Sequence, residues 1–271
     1  FFTPYEDELR RTDGTAAAEL YDWLKTETDY PVDNLIRSLL RTQPLALMAQ
    51  NLHWNAALPA DGGSSTPEGT PPVRLALWQP GQPAPEIQPG EILCLYHPPA
   101  STPATPEDWY LQNRDRTLAE DEKFRRAAGA VLAAHPLAGI AAPAAPAYGP
   151  GYAARAGEWQ RILPALRAEA ARLGWQTPIA EQPLPLPWGR CVFLRGEAFT
   201  QGLPPLDGPA GWWLLALAAQ QAGYGCLTLC THAQAHAAPE HLDCALGARQ
   251  DAGETAKDLA RILRRRLRGK H

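Results

Sequence analysis

The sequence lacks any apolar run of about 18 residues, the length that a membrane-spanning helix needs. Its first residues have neither the basic segment nor the apolar core of a signal peptide. Cysteine is scarce: 5 occur in 271 residues, and an odd number spread over this length is not typical of a disulfide scaffold. We therefore expect a cytoplasmic protein that does not associate with membranes.

Several motifs of known chemistry are also missing. The chain contains no P-loop, GxGxxG, GxSxG, HExxH or CxxC. The formal net charge of -4 and the pI near 6.0 argue against a general nucleic-acid binder. Positive charge does gather in residues 255–268, where a solvated helix end and a nucleic-acid contact are alternative interpretations.

What the chain does have is a globular composition, with 45% hydrophobic and 20% charged residues. Its 28 prolines and 22 glycines cluster in connectors. We predict a single domain with long loops over 62–72, 79–90 and 138–152 and a basic C-terminal helix over 255–268. For part of the third loop the alternative is a short buried strand over 134–142.

Hydrophobic periodicity predicts the regular elements of this domain. A helix is expected to start near Thr105, and two C-terminal helices are expected over 239–246 and 255–268. Further helices are predicted over 7–24, 31–51, 120–134, 158–174 and 212–222, and strands over 73–78, 91–96, 190–195 and 226–231.

Residues 208–247 stand out because a helix, a glycine turn and a strand follow one another there. Gly223 and Gly225 permit a positive φ and a close approach of the backbone to another group. Residues 158–181 have the same layout, an alanine-rich helix followed by glycine, an aromatic residue and an extended segment. Two ordinary helix-to-strand units of a sheet are the alternative explanation of both.

Taken in order, several segments resemble the nitroreductase superfamily of flavoenzymes, and in particular its azoline dehydrogenase branch. The segments that carry the resemblance are RSLLRTQPLALMAQNLHW, PPVRLALW, QPGEILCLYHPP, AYGPGYAARAGEW, WWLLALAAQQAGYGCLTL and APEHLDCALGA. The resemblance implies an α+β fold with a central mixed sheet flanked by helices. It also implies FMN as cofactor, a two-electron redox step on a peptide or small organic substrate, and a homodimer or a heteromeric complex.

The resemblance also implies residues that would hold the FMN phosphate. Arg155 is the first candidate and Arg41 the second, because a guanidinium binds phosphate through two parallel hydrogen bonds. A solvated helix arginine is the alternative at both positions.

Other candidates would contact the flavin ring or the substrate. Gln50 and Asn51 can bond the polar edge of the ring, and a capped helix end is the alternative. Gly223 and Gly225 would let backbone lie against the ring. Tyr148 and Tyr152 are the candidate catalytic residues, as proton donors or acceptors, although a place in the core or an interface is the alternative.

Three further hypotheses come from different residues. A cluster of zinc-like ligand types lies within 226–244, but on a strand Cys226 and Cys230 would be about 13 Å apart, too far to share one ion. We therefore predict no metal site. A non-catalytic subunit of a larger complex is favoured by the missing family lysine beside Tyr148. The basic helix over 255–268 leaves a nucleic-acid-associated component as the third hypothesis.

Overall fold

The structure is a computed structural model. It describes residues 26–27, 31, 33–34, 37–38, 41, 55–58, 71–103, 106–143, 150–176, 179, 189–208 and 210–231. The strands are β1 (Asn55–Leu58), β2 (Val73–Leu77), β3 (Ile92–Tyr96), β4 (Ala138–Pro143), β5 (Cys191–Arg195) and β6 (Gly225–Thr231). The helices are α1 (Pro106–Glu120), α2 (Glu122–Ala134), α3 (Pro150–Arg172), α4 (Gly211–Gln221) and a short 3-10 helix (Gly196–Phe199).

The six strands form one mixed sheet in the order β1-β6-β4-β5-β3-β2. β5 runs antiparallel to both of its neighbours, β3 and β4, and the other pairs are parallel. Five strands therefore end at the same edge of the sheet, which we call the carboxyl edge, and β5 begins there. The opposite edge, where the five strands begin, is the amino edge.

Helices α1 and α2 cover one face of the sheet. Alternate strand residues point toward them, as the two-residue period of a strand requires. On β3 these are Ile92, Cys94 and Tyr96, and on β5 they are Cys191 and Phe193. The break between the two helices follows from Asp121, whose carboxylate accepts the Lys123 N–H at 2.9 Å and caps the start of α2.

Helices α3 and α4 and the 3-10 helix cover the other face. The complementary strand residues point toward them, namely Leu93 and Leu95 of β3 and Val192 and Leu194 of β5. Because both faces are covered, β3 and β5 read in the sequence as continuous apolar runs. Each such side chain contributes about 1.5–3 kcal/mol by leaving water.

The α+β class with a mixed sheet flanked by helices is therefore confirmed. The predicted ends that fall on described residues agree within a few residues outside two regions, whereas the end of the helix predicted over 31–51 and most of the loop predicted over 62–72 lie outside the described residues. Residues 138–152 are the first exception, because 138–143 form the buried strand β4 and 150–152 begin α3. The prediction of a loop over the whole of 138–152 is therefore wrong, and the alternative of a short buried strand is confirmed. β1 is the second exception, since no strand was predicted at 55–58.

The connection over 79–90 is resolved as well. β2 and β3 pair in parallel, so these residues form a crossover and not a hairpin. Ile87 within the crossover belongs to the core on the α3 and α4 face, which shows the side on which the chain crosses. The helices predicted over 7–24, 239–246 and 255–268 lie outside the described residues. Within the described residues, no helix combines the length and the apolar character that crossing a lipid bilayer requires.

The two similar units end their helices in the same way. Gly174 after α3 and Gly223 after α4 have φ values of +73° and +83°. The N–H of Trp175 bonds to the Ala170 carbonyl, and the N–H of Tyr224 bonds to Ala219, each at 2.9 Å. This is the glycine C-cap in which the backbone reverses and satisfies the last carbonyls. The units differ afterwards, because only the second enters a described strand, β6.

Replacing Gly223 by alanine is expected to destabilise the protein by about 2–3 kcal/mol. Part of the loss is the positive φ, and part is contact, since a Cβ here meets Arg41 Nε at 3.0 Å and Arg37 Cβ at 3.2 Å. Gly174→Ala is the matched control, because a Cβ there meets nothing within 4 Å, and we expect a loss of about 1 kcal/mol. Urea unfolding of both variants measures the difference, and equal losses would contradict the contact with the arginines.

Candidate functional site at the carboxyl edge

Three residues lie side by side just beyond the ends of β2, β3 and β5. β2 and β3 pair in register up to Tyr96, which places Trp78 beside His97. β3 and β5 pair in register up to the same residue, which places His97 opposite Arg190. Hydrogen bonds extend the ladders across the row: Trp78 N to Tyr96 O at 2.9 Å, and His97 N to Arg190 O at 2.7 Å. We call Trp78, His97 and Arg190 the carboxyl-edge row.

The row lies on the α3 and α4 face of the sheet. Side chains of residues paired across strands point to the same side, and successive residues alternate. Leu95 and Val192 face α3 and α4, so His97 and Arg190, each two residues nearer the carboxyl edge, face the same way. Trp78 belongs to the core of that face.

The row also lies where the chain leaves two adjacent parallel strands on opposite faces. After β2 the chain crosses on the α3 and α4 face, through Ile87. After β3 it crosses on the other face, through α1 and α2. Ligands of open α/β sheets bind outside the carboxyl ends of the strands. The row lies at this end of the sheet, between two connections that leave on opposite faces, and it is therefore the candidate functional site.

Aromatic rings form the wall of this site. The His97 ring lies 5.6 Å from the Trp78 ring with an interplanar angle of 59°. The Trp212 ring, from the first turn of α4, lies 6.4 Å from Trp78 at 31°. Trp78 is 4% exposed, whereas His97, Arg190 and Trp212 are half-buried. Trp78 therefore supports the site from behind, and the other three present surface to a ligand.

The two tryptophans differ in how their indole N–H groups are satisfied. Trp78 Nε1 donates to the Gln82 carbonyl at 3.0 Å. Trp212 Nε1 is buried and has no hydrogen-bond partner within the described part of the chain. A buried donor without a partner costs about 1–3 kcal/mol. Among the described residues of the site, Trp212 is thus the one with a buried polar atom that has no hydrogen-bond partner.

Asp115 of α1 fixes Arg190 from the other face. This carboxylate is 1% exposed, and one oxygen accepts Arg114 Nε at 2.9 Å and Nη2 at 2.7 Å. The other oxygen accepts the Arg190 backbone N–H at 2.6 Å. A buried carboxylate needs such partners, because an unpaired one is strongly disfavoured. The start of β5, and with it the Arg190 end of the row, is held in place by this bond.

Tyr96 and Cys191 lie at the same edge but face α1 and α2, away from the row. Burial, together with the charges of Glu120 and Asp115, raises the pKa of Tyr96. Burial and the Cys94 thiol, whose sulfur lies 3.7 Å away, raise the pKa of Cys191 well above its usual value. Both groups therefore stay protonated near neutral pH, and neither is an activated nucleophile.

The flavin contacts predicted at Arg41 and Gly223 lie at the amino edge, the opposite end of the sheet. Arg41 Nη2 donates to the Ala222 carbonyl at 3.4 Å, and Arg37 Nη1 donates to the Gly223 carbonyl at 3.2 Å. Arg37 also lies 4.1 Å above the Tyr224 ring. The space that Gly223 opens is thus filled by two arginine side chains that bind the end of α4.

Arg195 does the same for α2. Its guanidinium donates to the Leu132 and His135 carbonyls, the latter at 3.0 Å, and to Ala138 O at 2.8 Å. Cations at helix C-termini complement the helix dipole. Burial lowers the pKa of Arg195, with Glu197 acting in the opposite direction. The amino edge is therefore a set of arginine-capped helix ends.

The remaining predicted site residues are distributed as follows. The Gly225 N–H donates to the Leu137 carbonyl at 2.9 Å and opens the β6 ladder. Tyr152 and Arg155 lie in the first turns of α3, the helix whose Trp159 ring contacts Trp213 of α4 at 5.6 Å. Tyr148, Gln50 and Asn51 lie outside the described residues, and their roles stay predictions.

Cys226, the first member of the cluster over 226–244, lies in the core of the α3 and α4 face. Burial raises the pKa of its thiol to about 12. A metal ligand needs the thiolate, which this environment disfavours. Among the described residues, no cluster of three or more metal-ligating side chains is present. Residues 232–271, which include the histidines of the cluster and the basic tail, lie outside the described residues.

Sequence reasoning missed the carboxyl-edge row. The resemblance included the segment with Tyr96 and His97, and a signal was present: a residue with a ring that carries an N–H directly follows each of two strand patterns, as His97 after ILCLY and Trp78 after VRLAL. Arg190 directly precedes a third run, CVFLR. Which of these ends meet at one edge depends on strand order and direction, and these were not predictable.

Comparison with family models, with curated proteins and with solved structures gives no significant match to this chain. A functional proposal therefore rests on two things, the geometry of the described residues and the resemblance of the sequence segments.

Trp78→Phe is expected to destabilise the protein by about 2 kcal/mol, because it removes a satisfied buried N–H and leaves a cavity. Trp212→Phe removes a donor that has no described partner, so we expect a loss below about 1 kcal/mol. Chemical denaturation of the two variants checks this order. A larger loss for Trp212→Phe would show that its indole N–H is satisfied in the folded protein.

The Cys226 thiol is expected to destabilise the protein in alkaline solution. Its pKa is about 12 when folded and about 8.5 when unfolded. Above about pH 8.5 the unfolded chain loses a proton that the native protein keeps, so stability falls with rising pH up to about 12.

Urea unfolding between pH 8 and pH 10 measures this effect. The wild-type protein should lose about 2 kcal/mol more than Cys226→Ala over that interval. The other ionisable groups are common to both proteins and cancel in the comparison. Identical pH dependence of the two would refute the burial of this thiol.

Proposed function

We propose that this protein is an FMN-dependent oxidoreductase of nitroreductase type, acting on a peptide or small organic substrate, with the flavin ring at the carboxyl-edge row. The observation that supports it is the row of Trp78, His97 and Arg190 at the carboxyl edge, with the Trp212 ring 6.4 Å from the Trp78 ring. The sequence resemblance supplies the identity of the cofactor.

The side chains present fit a planar, polar-edged ring. Trp212 and His97 offer aromatic faces, and Arg190 offers guanidinium donors for ring carbonyl oxygens. When bound, FMN supplies the two-electron chemistry. The residues of the chain bind and orient the ring, and the Arg190 cation stabilises negative charge on it.

The phosphate of FMN is assigned to Arg155, as the sequence suggests. Arg155 lies near the start of α3, and the same helix reaches α4 through the contact of Trp159 with Trp213. Arg41 is the less favoured phosphate ligand, because its guanidinium bonds to the end of α4 at the amino edge. The carboxyl-edge row and Arg41 lie at opposite ends of strands of about five residues, so the distance between them is about 17 Å.

FMN titration of the purified protein tests the proposal. We expect a yellow protein with absorbance near 375 and 450 nm, or uptake of FMN that quenches tryptophan fluorescence. Arg190→Gln should weaken FMN and riboflavin equally, by about tenfold, because it acts on the ring. Arg155→Gln should weaken FMN alone by a similar factor, because riboflavin has no phosphate.

Arg126→Gln is the matched control for both variants. Arg126 is an exposed arginine of α2, paired with Glu122 at 2.7 Å on the opposite face of the sheet. Its replacement should leave both affinities unchanged. A colourless protein that takes up neither FMN nor riboflavin would reject the oxidoreductase.

A non-catalytic subunit of a complex is the second candidate. It is favoured by Leu77 on the edge strand β2 and Trp109 on α1, which are 60% and 59% exposed. For the enzyme, the resemblance implies a homodimer or a heteromeric complex, so subunit contact is common to both candidates. FMN uptake separates them, since only the enzyme requires it.

The nucleic-acid hypothesis rests on residues 255–268, and loss of heparin retention on deleting 255–271 is its test.

A further inference from the structure

We infer that Nε2 of His97 is the hydrogen-bond acceptor that makes the carboxyl-edge site selective for planar ligands carrying an imide N–H. The inference rests on the proposed function for the location of the site, but not for the identity of the ligand.

The tautomer of His97 follows from its partner. Nδ1 lies 3.1 Å from the Trp78 backbone carbonyl oxygen. A carbonyl oxygen only accepts hydrogen bonds, so Nδ1 carries the proton. A neutral imidazole has a single N–H, which leaves a lone pair on Nε2. The carbonyl of Trp78, directly after β2, thus makes Nε2 of the neutral ring an acceptor.

The imidazole is also held in one orientation. The His97 N–H donates to the Arg190 carbonyl at 2.7 Å, which ties the backbone to β5. The ring packs at 5.6 Å from the Trp78 indole, which itself is fixed by its bond to Gln82 O. Backbone, ring plane and Nδ1 are therefore constrained before a ligand arrives, which lowers the entropic cost of binding.

Nε2 remains available within the described part of the chain. His97 is half-buried, and no hydrogen bond between Nε2 and another described residue is present. Its neighbour across the ladder is Arg190, whose guanidinium has only donors. An acceptor beside a set of donors complements a ligand edge with an N–H next to a carbonyl oxygen.

Cyclic imides have this edge. The pyrimidine part of the flavin ring is one example and uracil is another, since each carries one N–H between two carbonyl groups. A site that satisfies such an N–H rejects an analogue lacking it, because the site acceptor is then left unpaired. The class of ligand is therefore a planar cyclic imide. Methylation of the imide nitrogen removes the N–H and should therefore weaken binding.

Long-range nitrogen NMR of the ligand-free protein tests the tautomer directly. We expect the His97 proton on Nδ1. His135 is the internal reference, because its Nδ1 lies 2.7 Å from the Val131 carbonyl at the distant amino edge, so it is expected in the same form. A proton on Nε2 of His97 would overturn the inference, whatever the ligand.

Two ligand pairs then test the selectivity: lumiflavin with 3-methyllumiflavin, and uridine with 3-methyluridine. We expect the methylated member of each pair to bind about tenfold more weakly. His97→Asn keeps an amide N–H for the Trp78 carbonyl but removes the Nε2 acceptor, and should erase the difference. His97→Gln places an amide oxygen near the position of Nε2 and should restore part of it. His135→Asn should change nothing.

The outcomes separate this inference from the FMN proposal. Discrimination within both pairs supports both. Discrimination within the uridine pair, with no flavin bound, supports the inference and rejects FMN. Equal affinity within each pair, a difference that persists in His97→Asn, or binding of neither pair would overturn the inference.

Discussion

The structure depends on one reversed strand. β5 runs against β3 and β4 in the middle of the sheet, and its register with β3 pairs Ile92 with Arg195 and Tyr96 with Cys191. This register decides which β5 side chains enter each core, and a slip of one residue would exchange the two faces. It also decides the positions of the two arginines at the ends of the strand. Arg195 lies at the end of α2, and Arg190 lies opposite His97.

The two edges of the sheet consequently have different chemistry. At the amino edge, cationic side chains meet the carbonyls at the ends of α2 and α4, and those contacts serve stability. At the carboxyl edge, Arg190 is held by the buried Asp115 through its backbone N–H and not through its side chain. Aromatic rings line that edge, and a histidine is fixed there in one tautomer. An edge so arranged suits the recognition of a planar polar molecule.

Much of the fold was predictable because its elements have strong local signals. The apolar runs of β3 and β5 reflect burial on both faces, and the alanine-rich helix α4 ends at the glycine that its C-cap requires. β4 was ambiguous, since AGIAAP has no alternation and small side chains, and its strand state comes from pairing with β5 and β6. The carboxyl-edge row was not predicted. Arg41 and Gly223 do meet, as two parts of one predicted site, but they meet at a helix end.

The sequence by itself determined the mixed α+β class, most element positions and the turn at Gly223, because periodicity, capping and positive φ are properties of a few consecutive residues. Tertiary structure alone decided that Trp78, His97 and Arg190, which flank three strands, form one row. Their proximity arises from strand order, direction and register, which depend on packing between distant segments. The same holds for the tautomer of His97, since its proton is fixed by a carbonyl 19 residues away in the chain.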